Sequence, residues 1–265
     1  MSKPGILIIS HGSPESEWMH WIDEAVAATS FPADLPVYSS YLDNVPGRLI
    51  QDGINELEHQ GVTDLLVIPL FVSSGSTHID EIGYALGIKE APEKETDLEP
   101  FAITANVHFG YPVDDDEDIA HMIWDKIKHL SEDPAREVVL VVGHGSIHPG
   151  FLHRWVKGIS SLSRRIGHVS GTAYADYALL NPDSLTLKTR KWSNRGYRVL
   201  VAPLFLSRGY FLNTVIPRRL EGLSYQYAGE ALLPHPRLSH WMERQADLLL
   251  QQVNNSTGQE RIRKQ

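Results

Sequence analysis

With 265 residues, 42 % of them hydrophobic and 9 % aromatic, the chain has the size and composition of a globular protein with one large core or two modest ones. No cysteine is present, which excludes disulfides, iron–sulfur clusters, thiolate-bound haem and thiolate zinc sites. Any metal must be held by imidazole and carboxylate, which 13 histidines permit without requiring. No apolar run reaches the roughly 20 residues that span a bilayer, so no membrane association is expected.

The first apolar run, Ile6-Leu7-Ile8-Ile9, ends in Ser10-His11-Gly12-Ser13. It is too short for the core of a signal peptide, and the expected compartment is the cytoplasm. Unbroken apolarity without alternation marks a strand buried on both faces of a parallel sheet. An amphipathic helix is expected over residues 16–28 and a strand over 37–42. That strand ends in Tyr41-Leu42-Asp43-Asn44-Val45-Pro46, with a helix after the proline. A third buried strand, Leu66-Val67-Ile68-Pro69-Leu70-Phe71, runs into Ser73-Ser74-Gly75-Ser76-Thr77-His78-Ile79-Asp80-Glu81. A helix starting at this point, with Thr77 as its N-cap, sets His78 and Glu81 on one face. Imidazole and carboxylate one turn apart suit metal ligation and proton transfer alike. Asp80 and Glu81 equally suit a first helical turn, where acids favour the dipole. A charged helix over 117–130 closes the half.

The pattern then returns. Val139-Leu140-Val141-Val142-Gly143-His144-Gly145-Ser146 repeats the first strand at an offset of 133, and Leu200-Val201-Ala202-Pro203-Leu204-Phe205 repeats the third at 134. A weaker match sets Tyr41 and Pro46 against Tyr177 and Pro182 at 136. Three matches in one order imply a duplicated domain. In the second half, helices are expected over 152–165 and 238–253, with a strand over 173–178. The expected fold is therefore α/β: two tandem flavodoxin-like lobes, each a parallel sheet flanked by helices, around a cleft. Residues 1–133 and 134–253 form the lobes, with a seam at 131–136 and a flexible tail at 254–265. One chain then suffices to form the cleft, which favours a monomer.

Ligands of such sheets bind beyond the carboxyl ends of the strands, where His11, Asp43 and His144 lie. On this alignment Asp43 faces Leu179 and His78 faces Leu212, whereas His11 faces His144. The second half keeps the scaffold and loses two polar groups, so the chemistry is placed in the first, on His11, Asp43 and His78. Charge divides in the same sense. Up to Asp133 acidic residues outnumber basic ones 25 to 6, and from Pro134 basic outnumber acidic 18 to 8. The acidic half could draw in a cation while the basic half holds an anionic substrate. Two solvated surfaces that attract one another are the alternative. Nucleic acid is not expected, because no recognition motif or basic–aromatic platform is present. A hydrolase built on Ser13 or Ser146 lacks both the Gly-x-Ser-x-Gly elbow and a phosphate loop.

A strand ending in His-Gly-Ser, a Tyr-Leu-acid segment before a proline, and Pro-Leu-Phe followed by glycine and histidine together resemble the CbiX-type sirohydrochlorin chelatases, in their two-domain form. The resemblance spans nearly the whole chain. It implies a ferrochelatase-like fold and insertion of Co2+ or Fe2+, with Ni2+ also possible, into sirohydrochlorin for cobalamin or sirohaem. No organic cofactor is implied. The family's two metal-site histidines and its acid carry over to His11, His78 and Asp43. Two details differ: the family has one residue fewer between the glycine and its second histidine, and its acid is usually Glu. Glu81 joins as a proton relay. Contacts to an anionic, sirohydrochlorin-like tetrapyrrole are assigned to Ser13, Ser74, His144, Arg208, Arg218 and Arg219. A metal or tetrapyrrole carrier, or action on another macrocycle, remains the alternative.

Overall fold

The computed structural model describes residues 2–12, 16–43 and 45–263, the side chains of Ser16 and 256–263 excepted. Ser13, one of the expected substrate contacts, lies outside the described residues. Strands β1 (Pro4–Ser10), β2 (Val37–Tyr41), β3 (Asp64–Pro69) and β4 (Asn106–Phe109) form a parallel sheet in the order β2-β1-β3-β4. Strands β5 (Glu137–Gly145), β6 (Tyr174–Asn181), β7 (Arg198–Pro203) and β8 (Gln226–Tyr227) repeat that order as β6-β5-β7-β8, again parallel. The unbroken apolar runs are the inner strands, and every residue of β3 is buried. Two-sided burial removes any need for alternation.

Eight α-helices accompany the sheets among the described residues: α1 (Ser16–Ala27), α2 (Ile50–His59), α3 (Thr77–Ala85), α4 (Glu117–Ile127), α5 (Pro149–Ser170), α6 (Leu185–Ser193), α7 (Ile216–Arg219) and α8 (Arg237–Arg263). A π-helical turn, Phe211–Val215, leads into α7. Leu7 and Ile9 of β1 and Leu65 and Val67 of β3 pack with Ile50, Ile54 and Leu57 of α2 and Ile82 of α3. In the second sheet Leu140, Val142, Val199 and Val201 pack with Leu185 and Trp192 of α6 and with Ile216. Each such side chain contributes about 1.5–3 kcal/mol by leaving water. Among the described residues no helix is long and apolar enough to cross a membrane.

Two compact units form, but they do not part at residues 131–136. Unit one contains residues 1–71, 77–112 and 238–265; unit two contains 72–76 and 113–237. The closing helices are thus exchanged relative to the expected 1–133 and 134–253 division, α4 lying in unit two and α8 in unit one. Within unit one, Ser239 Oγ donates to Ala25 O at 2.9 Å, and Glu243 Oε1 accepts from Ser30 N at 2.8 Å. Within unit two, Arg237 Nη1 donates to the buried Asp118 of α4 at 2.9 Å. Periodicity reveals that a helix has an apolar face, not which sheet receives it. The backbone of α8 runs to Arg263, through most of the 254–265 stretch expected to be a tail.

Candidate functional site

In unit one, β1 and β2 run in register, Ser10 against Tyr41. The pairing continues past the sheet: Leu42 N donates to Ser10 O at 2.9 Å and Asp43 N to His11 O at 3.2 Å. Gly12 then turns the chain at φ 94°, and a Cβ there would stand 2.0 Å from Asp43 O. Only glycine tolerates both the left-handed backbone and that approach. The turn leaves His11 Nδ1 3.6 Å from Asp43 Oδ1, both side chains about half exposed, and 3.2 Å from Gly12 O. The carboxylate contact is an ion-pair distance, too long for a good hydrogen bond.

His78, on the first turn of α3, meets His11 edge-on, with ring centroids 4.6 Å apart and planes at 86°. Phe71 lies 6.2 Å from the His78 ring on the approach to that helix. His78 Nδ1 is 2.6 Å from Glu81 Oε1, one turn on, and Glu81 Oε2 accepts from Thr96 Oγ1 at 2.7 Å. The hydrogen bond from His78 holds the Glu81 carboxyl below its usual range, Thr96 reinforcing it and burial opposing it. Asp80, next door, is buried and binds Lys89 together with the backbone amides of Glu93 and Lys94. Its role is structural. His11, Asp43, His78 and Glu81 thus lie together, in two His–carboxylate pairs. Among the described residues no group of three or more such side chains is arranged to hold a metal ion; the centre is a pair of imidazoles.

Unit two carries the counterpart, and its geometry corrects the sequence alignment of the halves. Gly145 turns at φ 77°, and a Cβ there would meet Asn181 O at 2.0 Å. Gly143 pairs with Leu179 and Gly145 with Asn181, so Asp43 corresponds to Asn181, not Leu179. The His144 ring is met edge-on by Phe211, at 4.9 Å and 86°, and Phe205 stacks on Phe211 at 5.6 Å. His78 therefore corresponds to Phe211, not Leu212. The Asn181 amide lies 3.5 Å from His144 Nε2, while His144 Nδ1 lies 3.0 Å from Gly145 O. The copy keeps the shape of the first site and has an amide and a phenyl ring where that site has acid and imidazole.

The other expected contacts vary. Arg208 and Arg218 are exposed. Arg219 Nη1 instead donates to Leu180 O at 2.7 Å and lies 3.4 Å from Asp183, which commits it to the end of β6. Ser74 is likewise engaged within unit two: its N and Oγ bond Asp114 Oδ1 at 2.8 and 3.1 Å, and its carbonyl accepts from Arg154 at 3.1 Å. Burial raises the Asp114 carboxyl above its ordinary range, the Ser74 bonds opposing that rise. Thr96 is the site residue that sequence reasoning missed, because it lies in a stretch with no periodicity.

Sirohydrochlorin ferrochelatase of Bacillus subtilis (strain 168) is 19 % identical over 213 residues, 80 % of this chain and 78 % of that protein. SirB from Bacillus subtilis with Fe3+ is similar with a TM-score of 0.72 at 18 % identity, covering 97 % of this chain and 98 % of that one. The sirohydrochlorin chelatase SirB from Bacillus subtilis subspecies spizizenii in complex with cobalt gives 0.62 at 16 %, covering 92 % and 95 %. At such identities the structures establish the fold. The CbiX family model matches residues 5–130 and 138–248, one stretch in each half, and the chain belongs to that family.

Proposed function

We propose that this chain inserts a divalent metal ion, Co2+ or Fe2+, into a sirohydrochlorin-like tetrapyrrole, with His11 and His78 receiving the ion. The observation that carries the reading is the meeting of two imidazoles at 4.6 Å, each beside its own carboxylate. Imidazole suits both ions and binds them only when neutral. At His78, an Nδ1–H donated to Glu81 leaves the ring's lone pair on Nε2, which is then the ligating nitrogen. Two protein ligands leave positions open for the macrocycle's nitrogens.

Insertion must release two protons from the pyrrole nitrogens. As the cation passes to the macrocycle, the two vacated imidazoles take one proton each. Glu81 and Asp43 stabilise the imidazolium ions so formed and pass the protons outward. The shorter pair, His78–Glu81, makes His78 the better placed base. Arg208, Arg218 and His144 are the groups assigned to the macrocycle's carboxylates, arginine offering bidentate contacts. Arg219 and Ser74 are withdrawn from that role by their bonds within unit two.

The metals bound by the two SirB structures make iron and cobalt the first to try, with Ni2+ as a third. The decisive variant is His78→Ala, assayed anaerobically with sirohydrochlorin and Co2+ or Fe2+. Turnover is expected to fall by at least about 100-fold, with the melting temperature unchanged. Unaltered turnover would remove His78 from the mechanism. Pigment binding without metallation by the native protein would make it a carrier.

A further inference from the structure

Between α3 and β4, residues 86–105 contain neither helix nor strand. So long an irregular stretch inside a compact unit must have its backbone groups satisfied somehow. Three side chains supply six of the bonds that do so. Asp80 takes the amides of Glu93 and Lys94, Gln51 brackets Ala102 through both N and O, and Glu58 Oε1 takes Thr104 N and Ala105 N. A fourth tie is different in kind. Thr96 meets Glu81 side chain to side chain, satisfying no backbone group of the stretch, and Glu81 is the carboxylate that grips His78.

The hydroxyl at Thr96 has little choice of direction. Leu98 N donates to Thr96 Oγ1 at 3.1 Å, so the oxygen already accepts there, and its own proton goes to Glu81 Oε2 at 2.7 Å. That bond fixes the rotation of the carboxylate about its last torsion, which is otherwise soft. Glu81 Oε1 is then presented to His78 Nδ1 and selects the tautomer with the proton on Nδ1 and the lone pair on Nε2. Asp80, one residue earlier on α3, holds Lys89 and the 93–94 backbone, which brings Thr96 to its place. Consecutive acids of one helix thus divide the work: Asp80 ties down the stretch, and Glu81 receives its hydroxyl.

We propose that Thr96 is a positioning residue for metal transfer, setting the tautomer and orientation of His78 through Glu81. The inference rests on the reading of His78 as a metal-receiving residue. Outer partners of a ligating histidine are typically worth about 10–100-fold in metal affinity, and that range is the effect expected here.

The test compares native protein with Thr96→Val, Thr96→Ser and His78→Ala, all anaerobic. Co2+ affinity is read from the ligand-field spectrum, sirohydrochlorin affinity from the pigment's visible spectrum, and the His78 tautomer from 15N chemical shifts of the metal-free protein. Thr96→Val is expected to weaken Co2+ binding about 10–100-fold, leave pigment affinity unchanged and mix the two His78 tautomers. Thr96→Ser, which keeps the hydroxyl, should restore all three readings. Native Co2+ affinity and a single tautomer in Thr96→Val would overturn the proposal, as would equal losses in the Val and Ser variants. If His78→Ala itself binds and transfers Co2+ normally, the metal-site reading fails. If His78→Ala is inert while Thr96→Val is native, only the positioning role fails.

Discussion

Gly12 and Gly145 show why a two-residue signature survives in both halves. Each His-Gly pair ends a buried strand, and each glycine accepts a positive φ while a neighbouring carbonyl stands 2.0 Å from where a Cβ would be. In the first half His11 thereby stands just past the end of β1, and in the second His144 stands at the last residues of β5. A second constraint lies beneath the site at Tyr41, whose buried hydroxyl has no hydrogen-bond partner among the described residues, while Arg48 lies 4.9 Å over its ring. Burial pushes its pKa up to about 12, with Asp23 adding to the rise and Arg48 opposing it. A folded value above the unfolded one means that the contribution is intact below about pH 10 and lost as pH climbs towards 12. Tyr41→Phe keeps the ring and removes the unmatched hydroxyl. Urea unfolding should show it as stable as the native protein or up to about 2 kcal/mol more so at pH 8, with a shallower decline above pH 10. A variant destabilised at pH 8 would mean that the hydroxyl has a partner. At this scale the sequence spoke clearly about His11, Asp43, His78 and Glu81, because strand ends and helical spacing determine where they point. It was silent on Thr96, which no period marks. It also mispaired Asn181, because α5 is ten residues longer than α1 and the offset grows between β1 and β2, and Phe211, because the loop from Phe205 to Phe211 is one residue shorter than that from Phe71 to His78.

Among the elements, the buried strands β1, β3, β5 and β7 were legible, since unbroken Val, Ile and Leu runs permit little else, whereas the short β4 and β8 carry no such run. The destination of the closing helices was not legible either. An apolar stripe on α4 (Ile119, Met122, Ile123, Ile127) or on α8 (Leu238, Trp241, Met242, Leu249) fits either sheet, and only tertiary structure decides. The exchange has a consequence for dissection. A fragment of residues 1–133 lacks α8, and one of residues 134–265 lacks α4. Exposing the faces those helices cover removes several fully buried side chains, each worth about 1.5–3 kcal/mol, from units whose whole stability is of order 5–15 kcal/mol. Neither fragment is expected to unfold cooperatively alone by circular dichroism in urea, whereas the two expressed together should. A cooperative transition in residues 1–133 alone would contradict the exchange.

For the whole molecule, the exchange also recasts the charge contrast read from the halves. Unit one, with residues 238–265, has 8 basic and 20 acidic residues; unit two, with 113–133, has 16 and 13. The sense of the contrast survives, but unit two is only slightly basic. On the proposed function, attraction of an anionic macrocycle is assigned to individual groups such as Arg208 and Arg218 rather than to a strong overall field. The same chain holds one complete site and one whose acid and second imidazole are replaced by Asn181 and Phe211. Chemistry confined to the first is the central claim. Its most direct test is anaerobic visible spectroscopy of sirohydrochlorin with Co2+ or Fe2+ and substoichiometric protein, comparing native protein, the His11→Ala, His78→Ala double variant, and Asn181→Ala. Multiple-turnover metallation by the native protein and by Asn181→Ala, abolished in the double variant, is the predicted result. Metallation that persists without both His11 and His78, or that is lost with Asn181, would contradict it.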